Sequence, residues 1–242
     1  MGFESLLRRF VVRDLNYGRE QIERYVVLGT PPRRALDIGV GDSYDLLTVK
    51  RVCPEAELLG LDFRQEKLEA AARRGISPFR VNLEEERFPF DDESVDLVIA
   101  NQVFEHLKNF FWCLHECLRV LSVGGSLIVG VPNLASLHNR LLLLFGRQPT
   151  SIRTLSAHVR GFTRQEFAQA ALTVGFGSLT LVDSCGANFY PLPRGAARLV
   201  ARLLPSCAVS SFYLFRKHAP YSAQYLRQLE GFNLESDFKG LG

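Results

Sequence analysis

The first 133 residues alternate between short apolar runs and amphipathic stretches. Five apolar runs are typical of strands buried on both faces, at 35–38, 58–61, 78–81, 95–100 and 126–131. Three helical patterns separate them, at 44–51, 65–74 and 109–121. This alternation predicts an α/β fold with a doubly wound, mostly parallel sheet.

The pattern changes at both ends of this region. Two helices are predicted before it, at 3–14 and 18–28, and residues 134–160 are predicted to form an insertion with one helix ending at Phe145. The later elements follow from capping, turn and apolar signals: a helix from the Thr163 capping box to Gly175, strands at 178–184 and 211–217, and a helix between Pro193 and Pro205.

The composition also indicates where in the cell the protein is expected to work. No apolar run approaches the roughly 18–20 residues needed to span a bilayer, so no transmembrane helix is expected. The N-terminal stretch MGFESLLRRFVVRDL is predicted to be an amphipathic helix and not a signal peptide. Five scattered cysteines favour reduced thiols. We therefore expect a cytoplasmic protein, with contact at the inner face of the membrane as an option.

Charge is distributed unevenly along the chain. The net charge is −4 over residues 1–133 but +9 over residues 134–229, where Glu166 and Asp183 are the only acids. This asymmetry indicates an anionic partner for the second half. The alternative is an ordinary solvated surface in a chain that uses 24 Arg and only 5 Lys.

A C-x-H-x-C sequence at Cys113, His115 and Cys117 raises the question of a metal site. On the predicted helix, the two cysteines share a face and His115 points away from it. We therefore interpret them as core-facing residues, and no metal site is predicted for the chain.

The sequence ALDIGVGDSYDL at 35–46 places a glycine turn directly after a strand. Glycine lets the backbone approach a ligand closely, and the helix that follows offers free amides. Tyr44 stands where a dinucleotide-binding turn has its third glycine. Asp37 and Asp42 instead place two carboxylates beside the ligand, which favours a ligand that carries positive charge over a pyrophosphate.

Three further polar positions follow the next strands. Asp62 ends the second strand and can accept both hydroxyls of a ribose, and Asn82, after the third, can meet an adenine edge. The fourth strand ends at Asn101 and Gln102. Each alone could be a turn or cap residue. Because the carboxyl ends of parallel strands converge, together they predict a nucleoside site.

At this point the chain resembles the class I S-adenosylmethionine-dependent methyltransferases, of the small-molecule, type 11/12-like kind. Five segments carry the resemblance, with a looser match at 158–176: LDIGVGD (36–42), LLGLD (58–62), NLEE (82–85), FDDESVDLVIANQVFEHL (90–107) and LRVLSVGGSLIVGVPN (118–133). It implies a Rossmann-like sheet of seven strands, S-adenosylmethionine as methyl donor and S-adenosylhomocysteine as product. We expect one methyltransferase domain over 1–242, divided into N-terminal helices (1–30), cofactor-binding core (33–133), acceptor lid (134–160), C-terminal part of the sheet (161–229) and tail (230–242).

The resemblance also implies residue roles. Asp37, Gly39, Gly41 and Asp42 would hold the amino-acid end of the cofactor, and Asp62 its ribose. The remaining contacts would come from Phe63 against the adenine ring, Asn82 and Leu83 at its edge, and Asn101 and Gln102 at the methyl-donor end. Ser43 departs from the family, which often has a third glycine there; a small residue still fits.

Methyl transfer is an in-line displacement that alignment and exclusion of water can accelerate without an indispensable side chain. An alcohol or carbon acceptor does need a general base, usually histidine. His158 is our first candidate and His106 the second, although His106 could simply order its loop. His138 is expected to face solvent.

The acceptor is predicted from the lid. Residues 134–164 hold five arginines and no acid, and Arg140, Arg147 and Arg160 are predicted to bind substrate. A basic, apolar lid fits either an anionic small molecule or a lipid-linked acceptor at an anionic membrane. Nucleic acid is disfavoured because no stacking aromatics interleave with the arginines. A protein substrate and the oligomeric state are left open.

Two other functions are weighed against methyl transfer. The chain could bind the cofactor without catalysis, as a partner or regulatory protein, but the complete set of predicted cofactor contacts disfavours this. A dehydrogenase is disfavoured by Tyr44 and Asp37, which do not suit a dinucleotide.

Overall fold

The computed structural model describes residues 18–225. The predicted helix at 3–14 and the tail at 230–242 lie outside them. Seven strands run through the described chain: β1 (Arg34–Ile38), β2 (Glu57–Asp62), β3 (Ser77–Arg80), β4 (Val95–Asn101), β5 (Leu121–Pro132), β6 (Leu179–Ala187) and β7 (Ser210–Lys217). The α-helices are α1 (Arg19–Leu28), α2 (Tyr44–Val52), α3 (Gln65–Ala72), α4 (Phe110–Val120), α5 (Leu137–Leu144), α6 (Arg164–Gly175) and α7 (Arg194–Leu203).

The seven strands form one sheet in the order β3-β2-β1-β4-β5-β7-β6. Strands β1 to β5 are mutually parallel, and β7 is antiparallel to both β5 and β6. The predicted doubly wound, mostly parallel sheet is confirmed. The strand order reverses at β1, so the carboxyl ends of β1 and β4 flank the crevice in which such sheets bind ligands.

Both faces of the sheet are covered, which explains the continuous apolar runs. Leu36 and Ile38 pack on one face with residues of α4 and α6, while Ala35 and Val40 pack on the other with residues of α1, α2 and α3. Alternate side chains of a strand point to opposite faces, so a strand in the middle of the sheet needs apolar residues at every position.

The predicted lid helix is present as α5, and buried polar contacts hold the segment that follows it. The Asn139 side chain accepts from the Thr150 N–H at 2.9 Å and donates to the Ser151 hydroxyl at 3.1 Å. A bridge between Asn133 and Phe162 closes the segment against the end of β5. The lid is therefore an ordered unit whose two ends lie side by side.

His138 does not face solvent freely, and that expectation was wrong. Its Nδ1 lies 3.1 Å from the Ser136 hydroxyl and its Nε2 lies 2.7 Å from the Thr150 hydroxyl. Burial lowers the pKa of the ring. Because both nitrogens are engaged inside the lid, His138 stabilises the lid and does not belong to the reaction site.

The C-x-H-x-C residues do not converge on one point. Cys113 and Cys117 lie on α4 with their side chains fully buried in the core, whereas His115 Nδ1 lies 3.0 Å from the Tyr221 hydroxyl. As the helical periodicity predicted, His115 points away from the face that the two cysteines share. Within residues 18–225 no helix has both the length and the apolar character required to cross a bilayer.

Candidate functional site

The glycine turn after β1 has a backbone that requires glycine. Gly39 and Gly41 have φ of 69° and 47°, in the left-handed region. A Cβ on Gly39 would lie 2.9 Å from Cγ2 of Val103. Ser43 also adopts a left-handed conformation, with φ of 61°, where the resembled family often has glycine. The turn is thus held close to the segment that follows β4, with no room for a side chain at Gly39.

Asp62, at the end of β2, ties the second strand to this turn. Its carboxylate is 4% exposed and accepts from the Gly41 N–H at 3.1 Å and the Arg64 N–H at 3.0 Å. The Arg64 guanidinium also donates to it, at 3.1 and 3.3 Å. Burial alone would raise the pKa of Asp62, but these donors outweigh burial and lower it. The carboxylate is therefore ionised and held in place at the predicted ribose position.

Asp37 lies beside Asp62 in a concentration of negative charge. It is 3% exposed, and its pKa is raised well above the usual value by burial and by the neighbouring carboxylates of Asp45 and Asp62. Burial likewise raises the pKa of Asp45, against the opposing effects of Asn101 and Arg19. Three carboxylates at one site create a strong preference for a cationic ligand.

Sequence reasoning missed Asp45. It lies in the first turn of α2, and its Oδ1 is 3.6 Å from Nε of Arg19. A second acid three residues after Asp42, at a helix N-terminus, was the available signal, but helix capping explained it as well.

The end of β4 completes the site with unpartnered polar atoms. Asn101 donates from Nδ2 to the Asp45 carboxylate at 3.0 Å. Its Oδ1 and the Nε2 of Gln102 are buried, and neither has a hydrogen-bond partner among the described residues. Gln102 also has a left-handed φ of 58°. Buried polar groups without partners are rare, and here they mark a place that a polar ligand can fill.

The residues predicted for the adenine end are arranged along the next loops. Phe63 is 65% exposed, so its ring is free to cover a base. Asn82 accepts at Oδ1 from the Glu84 N–H at 3.1 Å, and Leu83 packs against the core. Asp42 is turned toward solvent and is bound by Lys67 at 2.8 Å. Asp42, which was predicted to bind the cofactor, is therefore paired with Lys67 in this structure.

A second group of polar residues follows β4 directly. Glu105 and His106 lie on the short 3-10 helix Phe104–His106, and the His106 ring lies edge-on to that of His158, with centroids 4.8 Å apart. One ligand-capable atom from each of these three side chains lies within 4.8 Å of the other two. Folding therefore brings both predicted catalytic histidines together, 52 residues apart in sequence. Glu105 was not predicted.

Backbone hydrogen bonds from the lid build this group. The N–H groups of Val159 and Arg160 donate to the Glu105 carbonyl at 2.9 and 3.1 Å, which fixes His158 beside His106. The histidine Nδ1 atoms face carbonyls of the lid, His106 that of Ala157 at 3.1 Å and His158 that of Ser151 at 2.8 Å. Since a carbonyl only accepts, each Nδ1 carries a proton and each neutral ring has its lone pair on Nε2.

Burial dominates the electrostatics of this group. It raises the pKa of Glu105 to about 8, and among the described residues no ion pair with Glu105 opposes this. Burial also lowers the pKa of His106, and the charges of His158 and Arg64 lower it further. The glycine turn packs on Val103, directly before the 3-10 helix that carries Glu105 and His106, so this group lies near the donor residues.

The three arginines predicted to bind substrate have different surroundings. The Arg160 guanidinium bonds to the carbonyls of Leu107 and Lys108 and lies 5.0 Å from the ring centroid of Phe110. Arg140 donates to the Ala135 carbonyl at 2.7 Å. Arg147 is exposed, and no side-chain partner for it is found within residues 18–225. Substrate binding by these arginines stays a prediction, with Arg147 the most available.

A separate cavity of about 600 Å³ opens beside the end of α4, lined among others by Asp92, His115 and Tyr221. Asp92 precedes β4 and α4 leads into β5, so this cavity lies toward the amino ends of the parallel strands. It contains no part of the glycine turn and is not the candidate site.

Comparison with known proteins matches the part of the chain that carries the glycine turn and the ends of β2 and β4. Residues 36–129 match the family model described as a methyltransferase domain. An uncharacterised 37.1 kDa protein in a transposon of Streptomyces fradiae is 33% identical over 157 residues, which is 63% of this chain and 46% of that protein. A malonyl-[acyl-carrier protein] O-methyltransferase of Methylococcus capsulatus is 35% identical over 103 residues, 41% of this chain and 38% of that enzyme.

A demethylmenaquinone methyltransferase of Deinococcus radiodurans is 29% identical over 129 residues, 52% of this chain and 54% of that enzyme. The chain thus spans about half the length of the curated relatives it matches, or less.

Solved structures agree in fold. The methyltransferase solved with the Trm112 activator of Haloferax volcanii superposes with a TM-score of 0.61 at 16% identity, covering 84% of this chain and 90% of that one. An S-adenosylmethionine-dependent methyltransferase of Mesorhizobium loti gives a TM-score of 0.58 at 16% identity, over 84% and 99% of the two chains.

The residues of this site fit S-adenosylmethionine. The carboxylates at Asp37 and Asp45 suit its cationic amino-acid and sulfonium groups, Asp62 suits the ribose diol, and the side chain of Phe63 can cover adenine. The unpartnered amide atoms of Asn101 and Gln102 add polar contacts at the end of β4. The matched methyltransferase domain, the seven-stranded fold and this fit lead to one conclusion: residues 36–129 belong to a methyltransferase domain, in a chain that has the fold of S-adenosylmethionine-dependent methyltransferases.

Proposed function

We propose that this protein transfers a methyl group from S-adenosylmethionine to a small acceptor that is anionic or lipid-linked. One observation carries the donor half of the proposal: the buried Asp62 carboxylate is bonded to the Gly41 N–H, so that the glycine turn and the second strand form one site at the carboxyl edge of the sheet. When bound, the donor supplies a methyl group on a positively charged sulfur.

The chain's own residues bind and orient the donor. Asp62 accepts the ribose hydroxyls once the Arg64 guanidinium, nearly half exposed and held at 3.1 and 3.3 Å, moves off the two carboxylate oxygens. Asp37 and Asp45 offset the charge of the amino-acid end. Fixing the reacting atoms in line is the main source of acceleration for such a displacement.

His158 and His106 are proposed to activate the acceptor. Their Nδ1–H groups are fixed on carbonyls, so their Nε2 atoms are left to act on a ligand. The lid holds His158 in place through the backbone bonds to Glu105, and it would exclude water above the donor.

The lid surface supports the acceptor class. Leu144 and Phe145 are 76% and 75% exposed, and Arg147 follows them without a described partner. An apolar patch bordered by arginine fits an acceptor with an acyl or isoprenoid part and an anionic group. The names of two relatives, a malonyl-[acyl-carrier protein] O-methyltransferase and a demethylmenaquinone methyltransferase, are compatible with this class.

Transfer of radiolabelled methyl into a cell extract tests the function. We expect wild-type protein to label a product, and Asp62→Ala to lose most of that label at a limiting donor concentration. Label in the organic phase identifies a lipid-linked acceptor, and label retained on an anion-exchange resin identifies a water-soluble anion. Intact S-adenosylhomocysteine binding without any labelled product would favour the non-catalytic binding protein.

Membrane contact by the lid is tested with vesicles. We expect wild-type protein to sediment with phosphatidylglycerol vesicles more than with phosphatidylcholine vesicles. The double variant Leu144→Asp, Phe145→Asp should lose at least about a hundredfold in partitioning, since the two side chains together contribute about 3–6 kcal/mol when buried. Val27→Asp is the control, because Val27 is 65% exposed at the end of α1, just before β1 begins. Equal loss in both variants would contradict a specific role for the lid.

A further inference from the structure

We propose that Glu105, His106 and His158 bind one divalent transition-metal ion of the zinc type next to the donor site. Their candidate ligand atoms lie within 4.8 Å of one another, although His158 is brought in from the lid. This proposal departs from the sequence-based expectation that the chain has no metal site, because only folding assembles the three residues.

Glu105 provides the first line of support. Its side chain is 1% exposed, and neither carboxylate oxygen has a hydrogen-bond partner among the described residues. A buried carboxylate without a partner is costly unless a cation or donor compensates it. Glu116, which is equally buried, is by contrast paired with Arg119 at 2.7 Å. The buried, unpartnered carboxyl group of Glu105 thus lies within 4.8 Å of a ring nitrogen of each imidazole.

The two histidines have the arrangement that metal ligands require. Each donates its Nδ1–H to a lid carbonyl, at 3.1 Å for His106 and 2.8 Å for His158. Metal-bound histidines almost always donate their other ring N–H to a carbonyl or carboxylate, which fixes the tautomer and the ring. The lone pairs are therefore on Nε2 in both rings, ready for coordination.

The donor set decides the class of metal. Two imidazoles and one carboxylate suit zinc or another first-row ion, whereas magnesium and calcium prefer oxygen ligands. Metal–ligand bonds of about 2.0–2.2 Å place ligand atoms roughly 3.3 Å apart, so side-chain rotations that shorten the present separations by up to about 1.5 Å would close the site. Three protein ligands leave a fourth position open.

The open position gives the ion a role. An acceptor hydroxyl bound there would lose its proton to solvent water more easily, because a metal ion lowers the pKa of a bound oxygen. The histidines would then activate the acceptor through the ion and not as free bases. This catalytic consequence rests on the proposed function, whereas metal binding itself does not.

Cobalt(II) titration of tag-free, full-length protein tests the site. Because Co²⁺ in a site with nitrogen ligands absorbs in the visible range, we expect a band that saturates at one equivalent and disappears on addition of Zn²⁺. Mg²⁺ at millimolar concentration should not displace it. X-ray absorption of the zinc-loaded wild-type protein should show two imidazole ligands, a result that does not depend on any variant folding.

Variants assign the ligands. Glu105→Gln keeps the size and removes the charge, and His158→Ala removes the lid ligand; we expect each to weaken Co²⁺ binding at least tenfold. His218→Ala is the control for adventitious binding, since His218 is exposed and lies just beyond β7. Binding of S-adenosylhomocysteine, measured in parallel, reports on the donor site of each variant.

The outcomes separate the two proposals. A wild-type chain that binds S-adenosylhomocysteine but gives no cobalt band overturns the metal site and leaves the proposed function standing. A cobalt band without donor binding supports the metal site and overturns the proposed function. Cobalt binding that survives in Glu105→Gln and His158→Ala but is lost in His218→Ala would overturn the assignment of ligands.

Discussion

Replacing Asp62 with alanine removes a carboxylate that joins the glycine turn to β2. In the free protein this carboxylate accepts from Gly41 and from the backbone and side chain of Arg64. With donor bound, we expect the two ribose hydroxyls to take the place of the guanidinium. The variant therefore loses two hydrogen bonds to an ionised acceptor.

The size of the loss follows from these contacts. A hydrogen bond to a charged group contributes about 1.5–3 kcal/mol, and displacing the partly exposed Arg64 returns about 0.2–1 kcal/mol. Because the carboxylate oxygens stay shared with the amides of Gly41 and Arg64, we expect a net loss of about 2–4 kcal/mol. At about 1.4 kcal/mol for each tenfold change, the Kd for S-adenosylhomocysteine rises roughly 30- to 1,000-fold.

Isothermal titration calorimetry measures this Kd directly. Asp92→Ala is the matched control, since Asp92 also binds an arginine, Arg119, at 2.7 Å but lies toward the amino end of β4. The control should bind S-adenosylhomocysteine as wild type does. Equal affinity in Asp62→Ala and wild type, with both chains folded by circular dichroism, would refute the placement of the ribose at β2.

Three more predictions concern the same donor site. Arg64→Ala should raise the affinity for S-adenosylhomocysteine about twofold to fivefold in calorimetry, because the guanidinium competes for the ribose carboxylate. Gly39→Ala should lower the free energy of unfolding by about 1–2 kcal/mol and weaken donor binding, because Gly39 has φ of 69° and its added Cβ would lie 2.9 Å from Val103. Donor binding should release protons and weaken as pH falls. The raised pKa of Asp37 keeps that carboxyl protonated in the free protein to higher pH than usual, whereas a cationic ligand favours the carboxylate. Calorimetric titrations in buffers of different ionisation enthalpy count the protons released.

Each of these has a control or a contrary result. Gly177→Ala has the same strain, with φ of 79°, but an added Cβ meets nothing there, so it should lower stability without changing donor affinity. A loss of affinity in Arg64→Ala would show that Arg64 orients the donor. Asp37→Asn should abolish most of the proton release and raise the free energy of unfolding at neutral pH, since its ionisation no longer opposes folding; unchanged proton release would point to Asp45.

The fold could be predicted because its signals are local. Apolar runs buried on both faces predicted the inner strands, and the Thr163 side chain accepts from the Glu166 N–H at 3.2 Å as the capping box requires. β5 is longer than predicted, beginning at Leu121 and not at 126, because Leu121 pairs with Val95 across an irregular register. That extension depends on a neighbouring strand and leaves no pattern in its own sequence.

Only part of the site could be predicted from the sequence, because some of its contacts depend on packing between elements that are distant in the chain. Asp37, Asp62 and Asn101 follow strand ends, where topology alone brings residues together. The pairing of Asn101 with Asp45, and that of Glu105 with His106 and His158, depend on how a helix and the lid pack. His138 and His158 stand in the same lid with similar sequence surroundings, yet the lid's internal hydrogen bonds bury one in a network and direct the other toward the 3-10 helix.

The central claim is that the donor lies across the carboxyl ends of β1, β2 and β4 with its sulfur near the Glu105, His106 and His158 group. A crystal structure of the S-adenosylhomocysteine complex tests it most directly. We expect the ribose hydroxyls on the Asp62 carboxylate, adenine against Phe63, and the sulfur open toward His158. A ligand bound elsewhere, such as in the cavity lined by Asp92, or with its sulfur directed away from the lid, would contradict the account.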